Sequence, residues 1–155
     1  MKAGIGFDAH RFEQGRRLVL AGVEIPFERG LGGHSDADVV LHALMDALLG
    51  ASGGGDIGEM FPDTDPAYKD ASSLELLRRV LVAVGERGYR VANVDLVVIC
   101  EQPRITTYRE RMRESVGKAL GIPAGSVSIK GTTTEGMGFT GRGEGIASLA
   151  VALLE

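Results

Sequence analysis

The chain has three histidines, His10, His34 and His42, and all three fall within its first 42 residues. Two of them stand among acids, in Gly6-Phe7-Asp8-Ala9-His10 and in His34-Ser35-Asp36-Ala37-Asp38-Val39-Val40-Leu41-His42. On a strand, side chains repeat every second residue, so Asp8 and His10 share a face. On a helix opening at residues 35–36, His42 lies two turns in, above Asp38 and below Asp46. Asp8, His10 and His42 can then converge from a strand and a helix. Two imidazoles and a carboxylate suit a tetrahedral zinc site whose fourth position stays open, and an open position is where metal chemistry happens. Spacing alone leaves another reading, because an Asp-x-His pair is common and three histidines can be surface or capping residues. Asp46, one turn after His42, stands where it can accept a hydrogen bond from the His42 ring; its other role is to solvate the helix.

Two further segments carry polar groups in quantity. Asp56-Ile57-Gly58-Glu59-Met60-Phe61-Pro62-Asp63-Thr64-Asp65 combines acids, glycine and one phenylalanine. Asp56 can accept from a polyol and Phe61 can cover a site as the loop closes, although such composition is more often an Asp-rich solvated turn. Lys130-Gly131-Thr132-Thr133-Thr134-Glu135, running on to Gly145, offers hydroxyls and amides for phosphate oxygens, with Glu135 to hold a hard cation. It has neither the order of a P-loop nor a dinucleotide fingerprint. A β-hairpin with glycine turns is an equal reading.

Elements must position these groups. Residues 2–9 read as a strand and 18–26 as a short hairpin. Ser35 is a plausible N-cap for a helix running to Leu49 and stopping at Gly50. Residues 52–69 read as loop. Ser72 or Ser73 caps a helix over 74–86 ending at Gly88. Residues 89–100 form a strand whose near-continuous apolar run predicts cover on both sides. Pro103 marks a turn, and Thr106 or Thr107 caps a third helix ending at Gly121. A strand at 127–130, a glycine-rich loop and a strand at 146–153 complete the chain. Strands and helices mix without strict alternation. The expected fold is therefore α+β, a two-layer sandwich of one mainly mixed β-sheet with helices packed on one face, plus a small hairpin.

The 155 residues predict a single domain over 1–155 with room for a real core. A hydrophobic fraction of 44% and a charged fraction of 25% are ordinary for a globular chain. The net charge of −4 argues against a nucleic-acid partner. Any phosphate must then be held locally. No apolar run is long enough to span a bilayer, so no membrane partner is expected. Cys100 is the only cysteine, which excludes an intrachain disulfide and fits a reducing cytoplasm.

Taken together, four blocks resemble one family, the 2-C-methyl-D-erythritol 2,4-cyclodiphosphate synthases of the non-mevalonate isoprenoid pathway. They are Gly6-Phe7-Asp8-x-His10; His34-Ser35-Asp36-x-Asp38-Val39-x-Leu41-His42-Ala43-Leu44; Asp56-Ile57-Gly58 with Phe61-Pro62-Asp63-Thr64-Asp65-Pro66; and Thr132-Thr133-Thr134-Glu135 with Gly138-Phe139-Thr140-Gly141-Arg142-Gly143-Glu144-Gly145. The resemblance covers essentially the whole chain. It implies a lyase that closes 4-diphosphocytidyl-2-C-methyl-D-erythritol 2-phosphate into the cyclic diphosphate, the 2-phosphate attacking the β-phosphorus and CMP leaving. It implies zinc on Asp8, His10 and His42, with its open position for a β-phosphate oxygen, and a second divalent cation, magnesium or manganese, on Glu135. His34 and Thr133 match positions that stabilise the transition state. Ser35, Asp56 and Gly58 match contacts to the methylerythritol phosphate, with Ile57 also in the implied substrate-binding set, and Phe61, Pro62, Asp63, Thr64 and Asp65 match its closing loop. Cys100, Glu101, Gln102, Pro103, Arg104, Ile105 and Thr106, with Thr132, Thr133 and Thr134, match the cytidine pocket. Phe139 and Arg142 complete the implied substrate-binding set.

The family is a homotrimer. In it the zinc ligands and polyol loop come from one subunit, and Thr132 to Glu135 with Cys100 to Thr106 from its neighbour. Arg142 and Glu144 fall near the three-fold axis, either lining a cavity for an isoprenoid-like diphosphate or forming an ion-pair cluster. The chain departs from the family pattern at Arg104, where lysine is frequent, and at Cys100 and Gly131, where alanine is. A metal-dependent nucleotide hydrolase and a non-catalytic nucleotide sensor are the readings from other classes.

Overall fold

A computed structural model describes all 155 residues. The strands are β1 (Lys2–Glu13), β2 (Leu18–Leu20), β3 (Val23–Ile25), β4 (Gly30–Leu31), β5 (Val91–Ile99), β6 (Val127–Thr132) and β7 (Gly145–Leu154). The helices are α1 (Val39–Ser52), α2 (Ile57–Met60), α3 (Ser73–Glu86), α4 (Arg109–Leu120) and α5 (Gly138–Gly141). A five-stranded sheet has the order β4-β1-β7-β5-β6, and β2 and β3 pair as a separate hairpin. Only β5 and β6 are parallel; the other pairings in the sheet are antiparallel. The expected mixed sheet with helices on one face and a small hairpin is what forms.

The packing of α1 on the sheet sets the site's geometry. A Cβ at Gly4 would lie 2.0 Å from the Ala47 carbonyl oxygen, and one at Gly6 1.9 Å from that of Ala43. These two glycines let the helix backbone rest directly on β1. The side chains that follow on the same face are Asp8 and His10. The opposite face of β1 carries Ile5 and Phe7, 71% and 56% exposed, beside Val151 of β7 at 46%.

Several boundaries differ from expectation for identifiable reasons. Strand β1 runs on to Glu13 because, beyond its pairing with β7, Phe12 and Glu13 pair with β4. The cap of α1 is Asp38, whose side chain accepts from the Leu41 amide. Ser35 does not serve, because the chain bends through residues 33–36, Ala37 stands at φ 56° and the Ser35 hydroxyl accepts from the Ala37 amide before the helix begins. His42 therefore sits one turn into the helix rather than two. The helix passes through Gly50 and ends at Gly53, where φ is 73° and the amides of Gly53 and Gly54 close onto Gly50 and Leu49. A short helix, α2, forms inside the loop expected at 52–69, capped by Asp56. Ser72 stands at the cap of α3 without a side-chain bond, and Ile105–Thr107 forms a 3-10 turn, so Tyr108 and neither threonine precedes α4. In β5 only Val94, Leu96 and Val98 are buried, so the strand is covered on one face. The glycine- and threonine-rich segment is no hairpin, because β5 lies between β6 and β7.

Asp38 is fully buried and accepts from Ala21 at 2.9 Å, Gly22 at 2.7 Å and Leu41 at 3.1 Å, fastening the β2–β3 turn to α1. Burial pushes its carboxyl up from 3.8 to about 6, against the pull of those amides and with a further push from Asp36. The folded state keeps a proton that the unfolded chain has lost, so this contribution is complete below about pH 4 and is lost as pH rises through about 6. Asp38→Asn removes the titration at a pH-independent cost near the Gly22 amide. In urea unfolding, the stability of the wild-type chain relative to this variant is expected to fall by ~2 kcal/mol between pH 4 and pH 7. A relative stability that rises over that range would contradict the assignment.

Candidate active site: a three-ligand metal cluster and two pockets

Asp8 and His10 project from β1 and His42 from the first turn of α1, and their ligand atoms meet. Asp8 Oδ2 lies 2.8 Å from His10 Nε2 and 3.1 Å from His42 Nδ1, and the two ring nitrogens are 3.1 Å apart. A tetrahedral zinc with bonds of about 2.0–2.1 Å holds its ligand atoms about 3.3 Å apart, so the triangle has the right size. The outward nitrogen of His10, Nδ1, donates to the Gly32 carbonyl at 2.9 Å. Its Nε2 then points a lone pair at a carboxylate oxygen, which is stable only with a cation or a proton between them. The protein's own groups show the same demand. Burial pushes the Asp8 carboxyl up, but the adjoining His10 and His42 rings outweigh it and hold the group at about 2. Burial pushes His10 down, and Asp8 more than reverses that, leaving it raised. The residues present fit a divalent metal, and no other grouping of metal-ligating side chains has this geometry.

The triad opens on a cavity of about 260 Å³, lined by Asp8, His10, His34, Ser35 and His42 together with Ile57, Gly58, Phe61 and Asp63. Gly33, Met45, Tyr68 and Leu76 also line it and were missed in the sequence; Met45 and Leu76 could have been signalled by their place on the inner faces of α1 and α3, whereas Gly33 and Tyr68 lie in the connections and carried no periodic signal. His34 Nε2 donates to the Asp65 carbonyl at 3.2 Å, joining the acidic segment to the pocket rim. Phe61 packs edge-on against Tyr68, with ring centres 5.2 Å apart. Asp56, Pro62, Thr64 and Asp65 do not line this cavity: Asp56 Oδ1 caps α2 through the Glu59 amide, and Asp65 Oδ1 accepts from Ala67. Asp46 does not meet the His42 ring. Its Oδ1 accepts from the Ile57 amide at 2.9 Å instead, tying α1 to α2.

A second cavity of about 530 Å³ is lined by Cys100, Glu101, Gln102, Pro103, Arg104, Ile105, Thr106, Gly131, Thr132 and Thr133. It shares no residue with the first. It lies where the parallel strands β5 and β6 end side by side, with Ile99 opposite Thr132. Burial, then Glu101, pushes the Cys100 thiol up to about 11, so it is inert as a nucleophile. A Cβ at Gly131 would stand 2.8 Å from the Ile105 Cβ, so glycine here gives Ile105 its room. Glu101 has a role beyond lining: its Oε1 accepts from the amides of Thr134 at 3.1 Å and Gly136 at 3.5 Å. Those bonds bracket Glu135, which sits at φ 52° with its amide donating to Thr133 Oγ1. Thr134 Oγ1 donates to Met137 and lies 2.9 Å from Thr140 Oγ1, bracing the same loop. Phe139 lies outside both cavities, 41% exposed, and the exposed Arg142 pairs with Glu144 at 2.8 Å.

The fold and the site thus define an α+β domain with a two-histidine, one-carboxylate cluster that fits a metal and a separate pocket of hydroxyls and amides. The chain belongs to the YgbB family, whose family model matches residues 1–155. It is 60% identical over 154 residues to the 2-C-methyl-D-erythritol 2,4-cyclodiphosphate synthase of Symbiobacterium thermophilum, covering 99% of this chain and 98% of that protein. Among solved structures it resembles the bifunctional IspDF from Campylobacter jejuni, with a TM-score of 0.95 and 43% identity over 99% of this chain but only 42% of that one. It also resembles a 2C-methyl-D-erythritol-2,4-cyclodiphosphate synthase in a CDP-bound form, with a TM-score of 0.91 and 36% identity over 99% of this chain and all of that one.

Proposed function

We propose that this chain, acting as one domain, converts 4-diphosphocytidyl-2-C-methyl-D-erythritol 2-phosphate into 2-C-methyl-D-erythritol 2,4-cyclodiphosphate and CMP. The carrying observation is the Asp8–His10–His42 cluster opening on a pocket, in a chain 60% identical to a synthase of that name along its whole length. The enzyme is a phosphorus–oxygen lyase of the non-mevalonate isoprenoid pathway, and we place it in the cytoplasm. No helix is long and apolar enough to cross a membrane.

Asp8, His10 and His42 would hold zinc, and Glu135 magnesium or manganese. Bound there, the cations supply positive charge against crowded phosphate oxygens. The remaining work belongs to the chain. An oxygen of the 2-phosphate bonds to the β-phosphorus, the bond from that phosphorus to the bridging oxygen breaks, and CMP leaves with the electron pair. The attacking oxygen is already ionised, so no strong general base is needed. Catalysis is then alignment and charge stabilisation. His34 and Thr133 stabilise charge in the transition state. Ser35, Asp56, Ile57 and Gly58 seat the methylerythritol phosphate, and residues 61–65 close over it and exclude water. The rim from Cys100 to Thr106, with Thr132 to Thr134, takes the cytidine, largely through backbone groups; Phe139 and Arg142 complete the set.

We further propose a homotrimer with each active site between subunits. Two features support it: the two pockets share no residue within one chain, and Ile5, Phe7 and Val151 leave an apolar sheet face uncovered. Phosphorus NMR of the protein with the substrate and magnesium in oxygen-18 water tests the reaction. Cyclic diphosphate and CMP free of the label are expected. Label in a product phosphate would make the chain a hydrolase, and binding without turnover would make it a sensor.

A further inference from the structure

Behind His42 lies a polar pair, Asp36 and Ser73, to which the proposed reaction gives no part. His42 turns Nδ1 toward Asp8 and His10, while its Nε2 lies 3.1 Å from Ser73 Oγ and 3.1 Å from Ser35 Oγ. Ser73 is fully buried at the start of α3, an element that supplies none of the three ligands. Its hydroxyl is hydrogen-bonded to Asp36 Oδ1, and its amide donates to Asp36 Oδ2 at 3.0 Å. Both oxygens of one carboxylate are therefore directed at one serine.

The inventory of protons decides the direction of each bond. An ionised carboxylate only accepts, and a serine hydroxyl has one proton. That proton goes to Asp36, so Ser73 Oγ shows His42 only lone pairs, and His42 Nε2 must be the donor. A neutral imidazole protonated on Nε2 carries its bare lone pair on Nδ1, which is the nitrogen facing Asp8 and His10. Ser35 does not oppose this: its Oγ accepts from the Ala37 amide at 3.2 Å and its own proton can turn away.

We propose that Asp36 and Ser73 are positioning residues that fix the His42 ring in its Nε2–H form, so that Nδ1 is ready for a metal. The effect on affinity rests on the metal-centre reading above; the ring's protonation pattern is a property of the chain itself. His10 is served differently, by the backbone carbonyl of Gly32. Only the His42 side of the centre can thus be altered by substituting side chains behind it. Partners behind a metal ligand are typically worth 10–100-fold in metal affinity.

Nitrogen-15 NMR of histidine-labelled, metal-free protein, followed by zinc titration against a chelator, tests the proposal. The wild-type chain is expected to show His42 protonated on Nε2. Ser73→Ala should lose that preference and raise the zinc dissociation constant about 10–100-fold, whereas Ser73→Thr, which keeps the hydroxyl, should retain both. Asp36→Asn is the sharper variant, because it has nearly the same shape. Its amide nitrogen can donate to Ser73 Oγ, releasing the serine proton toward His42 Nε2 and moving the ring proton to Nδ1. A tie between residues 36 and 73 that served only the fold would leave the ring unchanged in that variant. An Nδ1–H form in the wild type overturns the proposal, as does an unaltered ring with unaltered zinc affinity in both Ser73→Ala and Asp36→Asn. A wild-type chain with the Nε2–H form and no zinc affinity would instead overturn the metal-centre reading and leave the relay standing.

Discussion

In the His42→Ala protein, zinc is expected to fall from about one per chain to near zero, with turnover reduced by at least about 10³-fold. The variant loses one of three ligands on a cluster whose sides are only 2.8 to 3.1 Å. Asp8 and His10 then remain as a hydrogen-bonded pair, and two ligands do not hold zinc against dilution. Charge stabilisation at a phosphoryl oxygen is worth several kcal/mol, and each 1.36 kcal/mol is tenfold in rate. The helix should survive, since alanine has the higher helix propensity and the Asp38 cap is untouched. Metal content by atomic spectroscopy and the rate of CMP release measure the two effects separately. Full zinc occupancy in this variant would show that the ligands are wrongly named.

Mixing two inactive variants, His42→Ala and Glu135→Ala, is expected to restore activity to about a quarter of the wild-type level in randomly assembled trimers. That fraction is the chance that an intact metal half meets an intact nucleotide half at a given interface. The rationale is the separation of the two cavities within one chain. A lone subunit holds one end of an extended substrate and cannot bring the 2-phosphate to the β-phosphorus, and that alignment is the main source of rate here. Co-refolding at equal concentrations, native mass spectrometry and a CMP-release assay together give the result. Hybrids that form without recovering activity would place each site within a single subunit.

Much of the site was legible because its residues sit in local motifs. The Asp-x-His pair shares a strand face by simple alternation, and His42 needed only a helix to face it. The parts that were not legible depend on competition between neighbours far apart in sequence. Asp38 rather than Ser35 caps α1 because it also collects the amides of Ala21 and Gly22 from the hairpin. Asp46 stands one helical turn from His42, as expected, yet its carboxylate is taken by the Ile57 amide. Glu101 looked like one more residue of the nucleotide pocket, and nothing in its flanks signals the amides of Thr134 and Gly136. The hairpin reading of the segment after β6 failed for a topological reason. Its strand pairs in parallel with β5, and non-local pairing of that kind has no signature in composition.

Strand β1 carries two messages in alternate letters. Gly4, Gly6, Asp8 and His10 make one, the seat of a helix followed by two ligands; Ile5 and Phe7 make the other, an apolar outward face. The pleat keeps them apart only while the count is intact. Losing a single residue between Gly4 and Asp8 would exchange the two messages. The ligands would turn outward, and bulky side chains would be driven at a helix backbone that has no room even for a methyl group. The crossover from β5 to β6, by contrast, passes through α4, which lines neither cavity. Length is therefore far freer to vary in α4, beyond the Cys100–Thr106 rim of the second cavity, than within β1.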